Sequence, residues 1–175
     1  TTPKSIKSAL LQYQKTLEAE FGEIIKKEAG EIKAVREKEP TKEKEELMKA
    51  AEELPIIRIV DTLIKHAILQ RASDVHIEPT EKEVIVRYRI DGILHDAMVL
   101  PKIVSSGIVA RIKVLANLKL DEHRLPQDGR FKIETEEYKY SVRVSILPVF
   151  DGEKIVMRLL PERAQTLSLE GLGLR

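Results

Sequence analysis

The feature that most constrains this chain is a step in charge density at Pro55. Residues 26–53 hold 17 charged side chains in 28 positions, with Ile32, Val35, Leu47, Met48 and four Ala as their apolar content. That is too little to bury as an independent core. Beyond Pro55 apolar residues recur with regular periods, so the packed domain is expected there. With 175 residues the chain has room for one good core and an appendage, and not for two full domains.

Ahead of the charged stretch, Ile6, Leu10, Tyr13, Leu17, Phe21 and Ile24 recur at spacings of 4, 3, 4, 4 and 3, the stripe of an amphipathic helix over 6–25. Its apolar face needs a partner. The packed domain, a hairpin partner in the charged segment, or another protein could each supply one. Pro40-Thr41 divides the charged segment into two helical pieces.

Lys plus Arg number 30 against 29 Asp plus Glu, a net charge of +1, so no global pull toward nucleic acid or anionic lipid exists and any electrostatic function must be local. The longest uncharged run, 103–110, is eight residues, against the ~20 apolar residues of a membrane-spanning helix. No cysteine is present to make a disulfide framework or a thiolate metal site, and the first residues lack the apolar core of a secretory signal. A soluble, intracellular protein is the expectation.

After Pro55, a residue type accepted in a helix's first turn, Ile56, Val60, Leu63 and Ala67, with Ile57, Ile64 and Ile68 beside them, predict a helix to about Arg71. Val75 and Ile77 then alternate with Asp74, His76 and Glu78 in a strand stopped by Pro79. A longer strand alternates Val84, Val86, Tyr88 and Ile90 with Ile85, Arg87 and Arg89, and Asp91-Gly92 turns it into a third strand over 93–99. A second helix follows Pro101, with Val104, Ile108, Ile112 and Leu115 on one face. Three more strands are expected over 130–135, 138–146 and 154–159, the last two joined at Asp151-Gly152. Successive hairpins predict an α+β fold: a sheet of about six mostly antiparallel strands with helices on one face, preceded by a charged helical segment. The domains read as 1–54, 55–161 and a linker-like tail over 162–175.

Four features bear on chemistry. No Gly is followed by Lys, so the chain has no P-loop to cradle a nucleotide by itself. Asp74, His76 and Glu78 share one strand face, a spacing open to a metal; with no fourth ligand at a matching spacing, a polar face in which His76 bonds a carboxylate is preferred and no metal is expected. Arg87, Arg89, Arg143 and Arg158 fall on the polar sides of three strands and would gather on one sheet face. There they could bind phosphate bidentately or pair with carboxylates such as Asp74 and Glu78. The run 121–130 is rich in groups that bond backbone or phosphate, and its Pro and Asp-Gly predict an ordered loop.

These segments also form a recognisable set. Ala72-Ser-Asp-Val-His-Ile-Glu-Pro79, Arg87-Tyr-Arg-Ile-Asp-Gly92, Arg111-Ile-Lys-Val-Leu-Ala116, Arg124-Leu-Pro-Gln-Asp-Gly-Arg130, Val142-Arg-Val-Ser145 and Gly152-Glu-Lys-Ile-Val-Met-Arg-Leu-Leu160 follow one another in order. They closely resemble the second N-terminal domain of the type II secretion and type IV pilus assembly ATPases, the secretion NTPase superfamily, over about 56–174.

The resemblance implies a PAS-like fold and a tail, 167–174, similar to the linker before a RecA-like ATPase domain. The Walker A and B motifs, and with them ATP and Mg binding, would belong to that absent domain. Isolated, the chain would be inactive. Arg143 and Arg158 match family arginines that reach nucleotide phosphates across the domain interface, and Arg130 is a weaker candidate. The implied setting is a homohexamer, with the RecA-like domain of the same or a neighbouring subunit and inner-membrane platform proteins as partners, on the cytoplasmic side of the inner membrane. Two other readings are a nucleic-acid module using a basic sheet face, disfavoured by scarce aromatics, and a PAS-like small-ligand sensor, for which no buried polar constellation stands out.

Overall fold

The computed structural model describes residues 22, 27, 54–135 and 138–162. Apart from Gly22 and Lys27, which are helical, the striped helix expected over 6–25 and the charged segment after it lie outside the described residues, as does the tail from 163 onward.

Helix α1 (Leu54–Leu69) carries Pro55 in its first turn, where its missing N–H costs nothing. It buries Ile56, Ile59, Val60, Leu63, Ile64, Ala67 and Ile68, and Ile59 is a core residue that the expected stripe left out. The helix ends two residues before the expected Arg71. Arg71 takes a left-handed φ of 55°, and the amide of Ala72 donates to the Ala67 carbonyl at 2.9 Å. This is a Schellman closure, which reverses the chain into the first strand and satisfies carbonyls the helix leaves open.

Six strands follow: β1 (Asp74–Pro79), β2 (Glu83–Ile90), β3 (Ile93–Pro101), β4 (Gln127–Glu134), β5 (Lys139–Val149) and β6 (Gly152–Pro161). A short 3-10 turn (Lys102–Val104) and helix α2 (Ser105–Leu115) connect β3 to β4. The order across the sheet is β3-β2-β1-β6-β5-β4 and every neighbouring pair is antiparallel. Two three-strand meanders therefore meet along β1 and β6, and the α+β class expected from the hairpins is the observed one. At the β2–β3 turn Asp91 and Gly92 both have positive φ, 51° and 82°, as a two-residue hairpin loop requires.

Period-2 alternation sends one set of side chains to each face. Val75, Ile77, Val84, Val86, Tyr88, Val142, Val144, Ile146, Ile155, Met157 and Leu159 pack in one cluster with the buried faces of α1 and α2. Each large apolar side chain buried there contributes ~1.5–3 kcal/mol relative to exposure. Tyr88 is buried as well, and its hydroxyl donates to the Leu63 carbonyl at 3.0 Å, tying the sheet to α1. Both helices cover this face, and among the described elements none lies over the opposite one.

Candidate functional site

The open face is organised by register. In an antiparallel ladder, directly opposed residues share a face with their Cα atoms ~4.5–5.5 Å apart. The pairs Arg89↔Leu94, Asp74↔Arg89, Asp74↔Arg158, Arg143↔Arg158 and Arg130↔Arg143 make one row across all six strands: Leu94, Arg89, Asp74, Arg158, Arg143, Arg130. Arg87 stands one row away, opposite His76. The four arginines expected on a common face are there, and Arg130 joins them.

Their environments divide them. Arg87 pairs with Glu78. Arg89 lies with Nε 3.4 Å from Asp74 Oδ2, and its Nη1 donates to the Gly92 carbonyl at 2.9 Å, which holds it against the hairpin. Arg158 donates through Nε to Asp74 Oδ1 at 2.9 Å while its side chain stays 65% exposed. Arg143 and Arg130 are exposed, and their side chains make no hydrogen bond or ion pair to any described residue. Carboxylate pairing thus claims Arg87 and Arg89, half-claims Arg158 and leaves Arg143 and Arg130.

Asp74 and Glu78 are the anionic anchors. Burial acts to raise the Asp74 pKa, but hydrogen bonds from Arg158 and Ser73, with the charges of Arg158 and Arg89, outweigh it and hold the carboxyl below its ordinary 3.8. Glu78 is likewise held below 4.5, burial being outweighed by hydrogen bonds from Lys154, whose Nζ is 2.6 Å away, and Arg87. His76 Nδ1 lies 3.6 Å from Glu78 Oε1, too far for the hydrogen bond expected of it. Burial and the charge of Lys154 lower its pKa from 6.5. Asp74 and Glu78 are engaged by arginine and lysine, and the described residues include no cluster of three or more His, Asp or Glu that could hold a metal.

Of the run 121–130 expected as a loop, residues 127–130 open strand β4, and the remainder between α2 and β4 is tied down by its own side chains. The Glu122 carboxylate accepts the backbone amides of Arg124 and Leu125 at 2.7 and 3.1 Å, and the Gln127 side chain bonds both the amide and the carbonyl of Lys119. Beneath it sits a constellation that escaped the sequence reading. Lys113 is 0% exposed; its Nζ lies 2.7 Å from Glu153 Oε1 and donates to the Glu122 carbonyl at 2.8 Å, while His123 Nδ1 is 2.7 Å from Glu153 Oε2. In the sequence no buried polar constellation stands out, and this one became visible only in the structure. Nothing in the pattern of α2 distinguishes Lys113 from a solvated lysine, because its partner comes from a strand 40 residues later. The group borders a cavity of about 560 Å3 between α2 and the β5–β6 turn, on the helix side of the sheet and away from the arginine row.

The antiparallel sheet thus has helices on one face and adjacent arginines on the other, and a guanidinium is the side chain suited to bidentate pairing with an anion. Residues 49–175 match the family model described as type II/IV secretion system protein, and the chain belongs to that family. It is 38% identical over 170 residues to the type IV pilus assembly ATPase PilB of Myxococcus xanthus, covering 97% of this chain and 30% of the relative. It is 40% identical over 132 residues to the type II secretion system protein E of Pseudomonas aeruginosa, covering 75% and 26%. The X-ray structure of the Legionella pneumophila ATPase DotB aligns at a TM-score of 0.42 and 18% identity over 67% of this chain and 32% of that one, a likeness too slight to bear on the reading. The chain spans less than a third of the length of these relatives. Among the described residues, no helix is long and apolar enough to cross a membrane.

Proposed function

We propose that this chain is the regulatory and coupling N-terminal region of a hexameric ATPase that powers type II secretion or type IV pilus assembly at the cytoplasmic side of the inner membrane. ATP and Mg bind on a RecA-like domain beyond this chain. Arg143 and Arg158, with Arg130 in a lesser part, meet the nucleotide's phosphates when the two domains close.

One observation carries the reading: Arg130, Arg143 and Arg158 stand directly opposite one another on three adjacent strands. Like charges so placed oppose folding unless an anion lies between them. The single carboxylate in the row, Asp74, serves the Arg158–Arg89 side. Guanidinium groups suit the phosphate part of the ligand, and the described residues include no group of three or more His, Cys, Asp or Glu to hold its magnesium. Charge then gates motion: γ-phosphate draws the arginines and the domain that bears them inward, and its loss lets them part.

In the full-length protein, Arg143→Ala and Arg158→Ala should each lower ATP hydrolysis by ~10³-fold or more, the range known for arginines acting across an interface. Wild-type turnover in both variants would refute the phosphate contact. The reading frame beyond Arg175 should contain a Walker A motif.

A further inference from the structure

The row contains one acidic residue, and its placement assigns it a task. Asp74 is nearly enclosed, with a side chain 7% exposed, and it holds an arginine on each side: Arg158 Nε at 2.9 Å on Oδ1 and Arg89 Nε at 3.4 Å on Oδ2. Ser73 Oγ donates to Oδ2 at 2.8 Å, which fixes the carboxylate plane from a third direction. The backbone beneath is clamped too. The Ser73 amide donates to the Arg89 carbonyl at 2.8 Å, and the Leu159 amide to the Ser73 carbonyl at 2.9 Å, so the start of β1 is tied to both neighbouring strands.

The two arginines are held differently. Arg89 is secured at Nε and at Nη1, the latter by the Gly92 carbonyl. Arg158 is secured at Nε only, and its Nη groups bond no described residue. A guanidinium held at Nε has fewer orientations open to it, yet it presents both Nη groups, the pair that meets two oxygens of one phosphate. Arg143, opposite Arg158 and without a described partner, completes the opening.

We infer that Asp74 is a positioning residue for the anion site: by holding Arg158 at Nε it directs the two Nη groups of that side chain toward phosphate beside Arg143. The inference rests on the proposed phosphate contact and adds the residue that prepares it. Its physical consequence runs against simple electrostatics. A carboxylate near an anion site repels the ligand, so removing it should tighten binding if charge were all that mattered. A positioning carboxylate instead saves the ordering of a long side chain, worth ~2–10-fold in affinity for one immobilised arginine.

Titration of the 175-residue chain with inorganic tripolyphosphate, followed by calorimetry and by the arginine Nε–H signals in 15N NMR, separates the two. Wild type should bind, with the Arg158 and Arg143 signals shifting and the Arg158 Nε–H protected from exchange before ligand is added. Asp74→Ala should bind ~2–10-fold more weakly although the site has lost a negative charge, and its Arg158 Nε–H should exchange freely. Asp74→Asn, whose side-chain oxygen can still accept from Nε, should keep the protection and bind at least as tightly as wild type, because it loses the repulsion and keeps the positioning bond. If Asp74→Ala does not fold, Asp74→Asn decides alone: retained Arg158 Nε–H protection with affinity no weaker than wild type supports positioning, and lost protection overturns it. Asp74→Ala binding as well as wild type overturns the inference while leaving the phosphate site intact. No tripolyphosphate binding by wild type removes the site and the inference together.

Discussion

Arg143 stands directly across the β5–β6 ladder from Arg158, and its side chain makes no hydrogen bond or ion pair to a described residue. Opposed like charges on neighbouring strands cost ~0.2–1 kcal/mol. Arg143→Ala should therefore leave the melting temperature of the isolated chain unchanged or raise it slightly. Tripolyphosphate should stabilise the wild type against heat and do so much less for the variant. A variant that melts well below wild type would mean that Arg143 supports the fold.

The enclosed Lys113–Glu153 pair predicts the opposite behaviour. Breaking a buried ion pair by removing one partner costs ~3–5 kcal/mol, because the other charge stays behind without compensation. Lys113→Met should approach that loss in urea denaturation, tempered by His123, which still faces Glu153 Oε2 at 2.7 Å. Replacing both, as Lys113→Met with Glu153→Leu, should recover much of it. Strict additivity of the two single losses would show that the groups do not act as a pair.

Gly129 is placed by contact and not by conformation. A Cβ there would lie 2.8 Å from the Ala116 carbonyl oxygen and 2.9 Å from Leu118 Cδ2, closer than such atoms approach. Gly129→Ala should thus cost ~1–3 kcal/mol through displacement of the backbone just after α2. A melting curve indistinguishable from wild type would contradict this packing.

Acid stability should decline in two stages. His76 has a folded pKa below the 6.5 of its unfolded form, so the unfolded chain binds its proton more readily and stability starts to fall as pH drops below ~6.5. Asp74 and Glu78, held below 3.8 and 4.5, contribute stability that is fully present above those values and is lost as pH falls through their lower folded pKa values. In denaturation midpoints against pH, His76→Gln should flatten the upper stage, and Asp74→Asn should weaken the lower stage that it shares with Glu78. An unchanged upper stage in His76→Gln would exclude His76 as its source.

Local periodicity determined much of this protein. The 3.6-residue stripes of α1 and α2 and the two-residue alternation of the strands each require a particular backbone to bury their apolar sets, so class, hairpins and the arginine face could be read directly. Element ends were read less well: the helices close on Arg71 and Asn117 in left-handed conformations, φ 55° and 54°, where no glycine announces the stop. Which arginine is free was decided by the tertiary structure alone. Arg87, Arg89, Arg143 and Arg158 look alike in sequence, since each is a cation on the polar side of a strand. Their difference arises because the sheet sets β1 between β2 and β6, bringing Asp74 and Glu78 within reach of Arg158, Arg89 and Arg87 and leaving Arg143 beyond them. Lys113 and Glu153 meet for the same reason. A charge buried beside a partner distant in the chain leaves no periodic trace, because the interaction that makes its burial tolerable exists only once the strands are in order.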